Sequence, residues 1–252
     1  KGRMAAIQWY PGHMTKARRE LAAAIPLQDV VIEVLDARIP AASGNPVVTE
    51  LRGQKPCLKV LSKSDLADPE ITQAWLRHFE SGRGEGMAER SGGPVLALAT
   101  RTDRAAETRT QVALLCKRLV KRAEGSIRPV RALIVGVPNV GKSTLINTLM
   151  NRVVAKVSDK PAVTKAQQQV VLQGGMVICD SPGILWPKIE DEAASLRLAL
   201  LGSIPDTAID YVSVAYFGAR YFLDCHPDRL VSRFKLAALP ADAEGLITEI
   251  GR

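Results

Sequence analysis

The sequence predicts an α/β fold, a mostly parallel sheet with helices on both faces, followed by a small all-helical C-terminal region. Three observations carry this expectation. Short apolar runs alternate with stretches of helical periodicity over the first three quarters of the chain, as strand–helix–strand units require. A glycine-rich loop, Gly136-Val-Pro-Asn-Val-Gly-Lys-Ser-Thr144, joins one such run to one such stretch. After Trp186-Pro187 the alternation stops and only helical periodicity remains.

In order, strands are expected at residues 30–35, 57–61, 95–98, 131–135, 169–172 and 176–179, and helices at 69–80, 104–122 and 143–151. The Gly-, Ser- and Arg-rich stretch 81–93 reads as a loop, and 123–129 as a connection between two halves. Helices at 191–201, 206–223, 227–234 and 242–250 form the C-terminal region. In the second of these, Val212, Ala215, Tyr216, Ala219, Tyr221 and Phe222 recur at roughly helical spacing and are expected to be core rather than a stacking surface for bases.

Composition narrows the setting. A chain of 252 residues with 46% hydrophobic content can bury a full core, and its size suits one large domain and a small one. Thirty-four Lys and Arg against 26 Asp and Glu give a net charge of +8, which suits a polyanionic partner such as RNA. Lys1, Arg3, Lys16, Arg18 and Arg19 crowd the N-terminus, where phosphate contact and a solvated helix face are both open readings for Lys16, Arg18 and Arg19. The cysteines at 57, 116, 179 and 225 form no Cys-x-x-Cys pair, which implies a reducing compartment. His13, His78 and His226 lack metal-ligand spacing, and no cleavable signal or Arg-rich presequence is read at the start, although a chain beginning at Lys1 could already have lost one. No apolar run approaches the roughly 18 to 20 residues that cross a bilayer.

The loop at 136–144 has the Gly-x-x-x-x-Gly-Lys-Ser spacing that wraps a nucleotide's phosphates. Gly136 and Gly141 let backbone N–H groups turn inward, with Pro138, Asn139 and Val140 between them; Lys142 reaches the β and γ oxygens, Ser143 ligates Mg²⁺, and Thr144 follows. A strand before and a helix after it set a positive helix N-terminus against the phosphates. Asp180-Ser-Pro-Gly183 follows an apolar strand, so that Asp180 can hold the Mg²⁺ shell while the Gly183 N–H meets the γ-phosphate. Thr164, between them, is the hydroxyl placed to close over Mg²⁺ and γ-phosphate.

Base selection is sought downstream of residue 183 without success. Upstream, Ser62-Lys63-x-Asp65 comes close to the Asn-Lys-x-Asp pattern that selects guanine, and Ala99 and Thr100 join the nucleotide-binding set. All the elements of a P-loop GTPase are therefore present in rotated order.

On these residues, and on Gln8-Trp-Tyr-Pro-Gly-His-Met-Thr-Lys-Ala-Arg-Arg19 and Asp36-Ala-Arg-Ile-Pro40, the chain resembles the circularly permuted GTPases of the YlqF (RbgA) group. The resemblance runs from about residue 7 to the end. It implies a permuted GTPase domain over residues 1–187, with a basic segment 1–25, and a helical, RNA- or ribosome-binding domain over 188–252. It further implies GTP hydrolysis as a switch in large-subunit assembly, with the large ribosomal subunit or its precursor as partner and activator. GTP or GDP and Mg²⁺ are the expected cofactors, and the bacterial cytoplasm, or else the mitochondrial matrix, the expected location of a monomer. Two departures stand out: Ser62 replaces the usual Asn, and members of the group usually continue beyond Gly251-Arg252, so that a C-terminal tail is expected.

The catalytic set is His13, Lys142 and Thr164. Ile184 occupies the position where Ras-like enzymes place the Gln that orients water, so unassisted hydrolysis is expected to be slow. The resemblance gives His13 a part in hydrolysis; packing of Trp9, Tyr10 and His13 on the domain is the alternative. Asn139 is open between a K⁺ ligand beside the phosphates and a loop-bracing hydrogen bond. Against the assembly GTPase stand a small-molecule kinase or ATPase, which leaves the Ser62–Asp65 and Asp180–Gly183 motifs unexplained, and a nucleotide-dependent binding module with negligible turnover.

Overall fold

The computed structural model describes residues 11–82, 92–121, 128–151, 169–172, 175–181, 183–186, 189 and 191–251. Six strands form one sheet: β1 (Val30–Asp36), β2 (Cys57–Ser62), β3 (Val95–Ala99), β4 (Val130–Val135), β5 (Gln169–Leu172) and β6 (Met176–Asp180). Their order is β3-β2-β1-β4-β6-β5, with all pairings parallel except β5 against β6. Strands β1 and β2 are buried along their whole length, the condition of central parallel strands covered on both faces, and this is why they read as near-continuous apolar runs.

The helices are α1 (Pro11–Ala24), α2 (Pro40–Ser43), α3 (Pro46–Arg52), α4 (Pro69–Glu80), α5 (Ala105–Val120), α6 (Lys142–Met150), α7 (Glu192–Leu200), α8 (Tyr211–Cys225), α9 (Pro227–Phe234) and α10 (Ala243–Ile250). Local chemistry sets their starts. Asn45, Asp68, Asp191, Asp210 and Asp242 each accept a backbone N–H from the first turn of the helix they precede, and α3 and α4 add proline at the first helical position.

Alternation along the strands divides the core. Val30, Ile32 and Val34, with Ala132 and Ile134, face a cluster completed by Val112 and Cys116 of α5, Leu145 and Leu149 of α6, and Leu198 of α7. Val31, Leu133 and Val135 face Leu21 of α1, Val48 of α3 and Ile184. Helix α7 thus shares the core of the sheet, whereas Ala219, Leu230 and Leu246 make a separate small cluster among α8, α9 and α10.

The expected core of α8 is corrected by this arrangement. Val212 is 65% exposed, and Tyr216, Tyr221 and Phe222 are also exposed; the buried positions are Val214, Gly218 and Ala219. The reason is steric. A side-chain carbon on Gly218 would stand 3.0 Å from Leu200 Cδ1, so the helix seats its small-residue face on α7 and turns the aromatic rings outward. The loop expected at 81–93 and the connection at 123–129 lie largely outside the described residues.

Candidate functional site

The carboxyl ends of β1, β2, β3, β4 and β6 bring together segments distant in sequence, as open parallel sheets do with their ligand sites. The loop after β4 runs into α6 at Lys142. Lys142 is buried, and its Nζ donates to the carbonyls of Gly136 at 3.1 Å and Val137 at 3.0 Å. Burial pulls its pKa down from 10.5 to about 8, a shift that the Asp180 carboxylate partly opposes. An ammonium held on its own loop's carbonyls is placed to exchange them for phosphate oxygens.

Asp180 ends β6, in register with Ile134 of β4. Burial raises its pKa, against the pull of Lys142 and the Ser181 backbone N–H. Its Oδ1 is buried with no hydrogen-bond partner among the described residues. A buried, unsatisfied carboxylate oxygen costs on the order of 1–3 kcal/mol and suits a hard cation such as Mg²⁺; Ser143, half-buried at the start of α6, is the other candidate ligand. Among the described residues no cluster of three or more His, Cys, Asp or Glu offers an all-protein metal cage; a phosphate-shared Mg²⁺ does not require one.

Gly183 lies directly on the phosphate loop. A Cβ there would stand 3.0 Å from Pro138 Cα and 3.1 Å from Lys142 Nζ, so any side chain would displace the loop or the ammonium. The next residue, Ile184, donates its N–H to Gly136 O at 3.2 Å, and its side chain is buried against α1 and α3. The position at which a water-orienting Gln was sought is therefore part of the core. The Ile184 carbonyl accepts from Asn45 Nδ2 at 2.9 Å, and the Asn45 N–H donates to Glu33 Oε1 at 3.0 Å. Glu33 is fully buried and pairs with Lys59 at 3.5 Å across the β1–β2 register. Asn45, Glu33 and Lys59 were not singled out from sequence, although a lone charge in each of two apolar strand runs, Glu33 and Lys59, was a legible signal.

The loop after β2 supplies the base-reading candidates. Ser62 is buried, and its hydroxyl lies within hydrogen-bonding reach of two carbonyls, Leu35 at 3.0 Å and Val140 in the phosphate loop. A Cβ on Gly141, whose φ is +108°, would stand 3.2 Å from Ser62 Oγ. Ser62 thus keeps the loop-bracing half of the task of the usual Asn. Lys63 has a left-handed backbone, and its Nζ donates to Asp36 Oδ2 at 3.0 Å and to Asn139 O at 2.8 Å. Asp65 is exposed in the turn that follows. Thr100, after Ala99 at the end of β3, accepts from the N–H and hydroxyl of Ser64 at 3.2 and 3.0 Å. Ser62, Lys63, Thr100, Arg101, Gly141 and Thr144 help line a cavity of about 140 Å³ there.

Asn139, with φ 57°, donates through Nδ2 to Gly202 O at 2.7 Å, in the turn after α7. Lys16, Arg18 and Arg19 lie exposed on α1, where Lys16 approaches Glu20 at 3.9 Å and Arg18 pairs with Glu50 at 2.7 Å. Thr164 and the His13 side chain lie outside the described residues. The structure therefore brings together Ser62, Lys63, Asp65, Ala99, Thr100, residues 138–144, Asp180 and Gly183.

Comparison with known proteins agrees with this geometry. Residues 131–215 match the family described as 50S ribosome-binding GTPase. The chain is 43% identical over 253 residues to Ribosome biogenesis GTPase A of Bacillus licheniformis, covering 98% of this chain and 85% of that protein. It is 33% identical to the bovine Mitochondrial ribosome-associated GTPase 1, over 83% of this chain and 64% of that protein. Among solved structures, the GNP-bound YlqF of T. maritima is similar, at 27% identity and a TM-score of 0.55, covering 94% of this chain and 92% of that one.

Proposed function

The chain belongs to the ribosome biogenesis GTPase A family, and from that premise we propose that its GTP hydrolysis is a switch in assembly of the large ribosomal subunit, quickened by the ribosomal particle itself. The observation that carries this reading is convergence: the phosphate loop, the Ser62–Asp65 loop and the Asp180–Gly183 segment meet at one sheet edge although the chain visits them in rotated order.

In this reading Lys142 and the backbone around it hold the β- and γ-phosphates, Lys63 and Asp65 read guanine beside Ala99 and Thr100, and Ser62 steadies Val140. Ser143 and Asp180, with Thr164, hold the Mg²⁺, which when bound offsets phosphate charge. His13 and Thr164 complete the catalytic set with Lys142. The Nδ2 bond of Asn139 to Gly202 supports the loop-bracing reading of that residue, and K⁺ beside the phosphates is the finer proposal for the same side chain. Residues 1–187 act as the nucleotide domain and 188–252 as the helical domain that meets RNA or protein, with α7 as the joint because it packs in the core of the sheet. We place the protein, as a monomer, in the bacterial cytoplasm, or else in the mitochondrial matrix.

The burial of Ile184 favours a second reading, a nucleotide-dependent binding module with negligible turnover. Rates of GTP hydrolysis measured alone, with large ribosomal subunits and with small subunits separate the two. Stimulation by large subunits alone is expected; equal slow rates in all three would leave the binding module.

A further inference from the structure

The ends of β1 and β2 lie in register, Asp36 opposite Ser62, so the Asp36 carboxylate emerges beside the loop that carries Lys63. That carboxylate is buried and fully engaged. Arg38 grips it through Nε at 2.9 Å, a terminal nitrogen at 2.7 Å and the backbone N–H at 3.1 Å, and Lys63 Nζ donates to Oδ2 at 3.0 Å. Burial acts to raise the pKa of Asp36, yet the bonds and charges of Arg38 and Lys63 prevail and hold it below the usual range. Lys63, for its part, carries a left-handed backbone at φ 57°, uncommon for a residue other than glycine.

We propose that Asp36, clamped by Arg38, is the positioning residue for Lys63 in guanine-nucleotide binding. The inference rests on the guanine reading of the Ser62–Asp65 loop. A lysine whose aliphatic stem must lie along a base while its ammonium braces the phosphate loop needs a fixed anchor for that ammonium. Asn139 O supplies one side at 2.8 Å and Asp36 the other. The arrangement also gives a role to the stretch Asp36-Ala-Arg-Ile-Pro40. Arg38 holds Asp36 through two side-chain bonds, and the charge of Asp65 adds a smaller attraction to the same guanidinium. Because Asp36 does not touch the reacting phosphate, its loss is expected to raise the KM for GTP and leave kcat little changed.

The test is a double-mutant cycle read by the Kd of N-methylanthraniloyl-GDP, with thermal melting as the check on folding. Asp36→Asn is expected to weaken binding by roughly tenfold, the order of a lost charge-assisted hydrogen bond, and to have no further effect when Lys63→Ala is present. Equal weakening in both backgrounds, or none in the parent, would overturn the positioning role while leaving the site reading intact. Lys63→Ala binding as tightly as the parent would overturn both. Should Asp36→Asn fail to fold, Arg38→Gln runs the same cycle with the carboxylate retained. A loss of roughly threefold, confined to the background that contains Lys63, is then expected, and an additive loss overturns the proposal.

Discussion

The Asn139 side-chain amide donates to the Gly202 carbonyl at 2.7 Å, fastening the phosphate loop to the turn between α7 and the C-terminal helices. Nothing in the sequence announces this bond between residues 63 positions apart. It gives the helical region a direct mechanical tie to the loop proposed to wrap the phosphates, additional to the chain that leads on from Asp180–Gly183 toward α7.

Asn139→Ala is therefore expected to lower stability by about 1 kcal/mol, the net worth of one such hydrogen bond, and to loosen the coupling between site and helices. Hydrogen exchange over α8 in GDP and in a non-hydrolysable GTP analogue checks this. The parent should show nucleotide-dependent protection there and the variant a smaller difference.

Gly183→Ala tests the seat of the switch on the loop. Its Cβ would fall 3.0 to 3.1 Å from Pro138 and Lys142 Nζ, against backbone on one side and the ammonium proposed to hold phosphate on the other. Hydrolysis should fall by about a hundredfold, as loss of one transition-state donor does, with GDP affinity changed far less. Single-turnover hydrolysis beside GDP titration separates these effects.

Much of this was legible in the sequence, for physical reasons that differ by element. The strands were found nearly to the residue because a parallel sheet covered on both faces leaves mostly apolar side chains along its runs, Glu33 and Lys59 being exceptions that pair with each other. Helices α2 and α3 were not assigned, being short and opened by Pro40 and Pro46, residues that as readily mark turns. The aromatic positions of α8 were misread because helical spacing identifies a stripe but not which stripe is inward, and the small face of Gly218 packs closer. The phosphate loop and the Ser62–Asp65 loop were legible as motifs. The bond from Asn45 to the Ile184 carbonyl spans 139 residues and could be seen only in the fold.

Ser62→Ala addresses the departure at the base-reading loop. The hydroxyl lies within reach of both Leu35 O and Val140 O from a buried position, and its one proton can serve either, so its removal takes away one donor and loosens the phosphate loop. A loss of about 1 kcal/mol corresponds to roughly fivefold weaker GDP binding if it falls wholly on the bound state. Calorimetric titration with GDP measures it.

The last prediction concerns pH. Burial holds the Lys142 ammonium at a pKa of about 8 against the usual 10.5, with Asp180 opposing part of the shift. Phosphate oxygens favour the charged form, so binding a nucleotide raises this pKa and takes up a proton wherever the free lysine has lost its own. Below about pH 7 the lysine is charged in both states, and its contribution to affinity is flat. Above pH 8 the affinity for GDP should fall by up to about tenfold per unit, until the pH passes the raised pKa of the complex. Stability of the nucleotide-free protein runs the other way. Its folded pKa lies below the unfolded one, so the unfolded chain binds more protons between about pH 8 and 10.5, and this group's contribution to stability rises with pH across that window. GDP titrations from pH 6.5 to about 9.5, repeated with Lys142→Met, check the first sign, because the pH dependence of affinity should flatten in the variant even as its overall affinity drops; denaturant unfolding of the nucleotide-free parent and variant from about pH 8 to 10.5 checks the second.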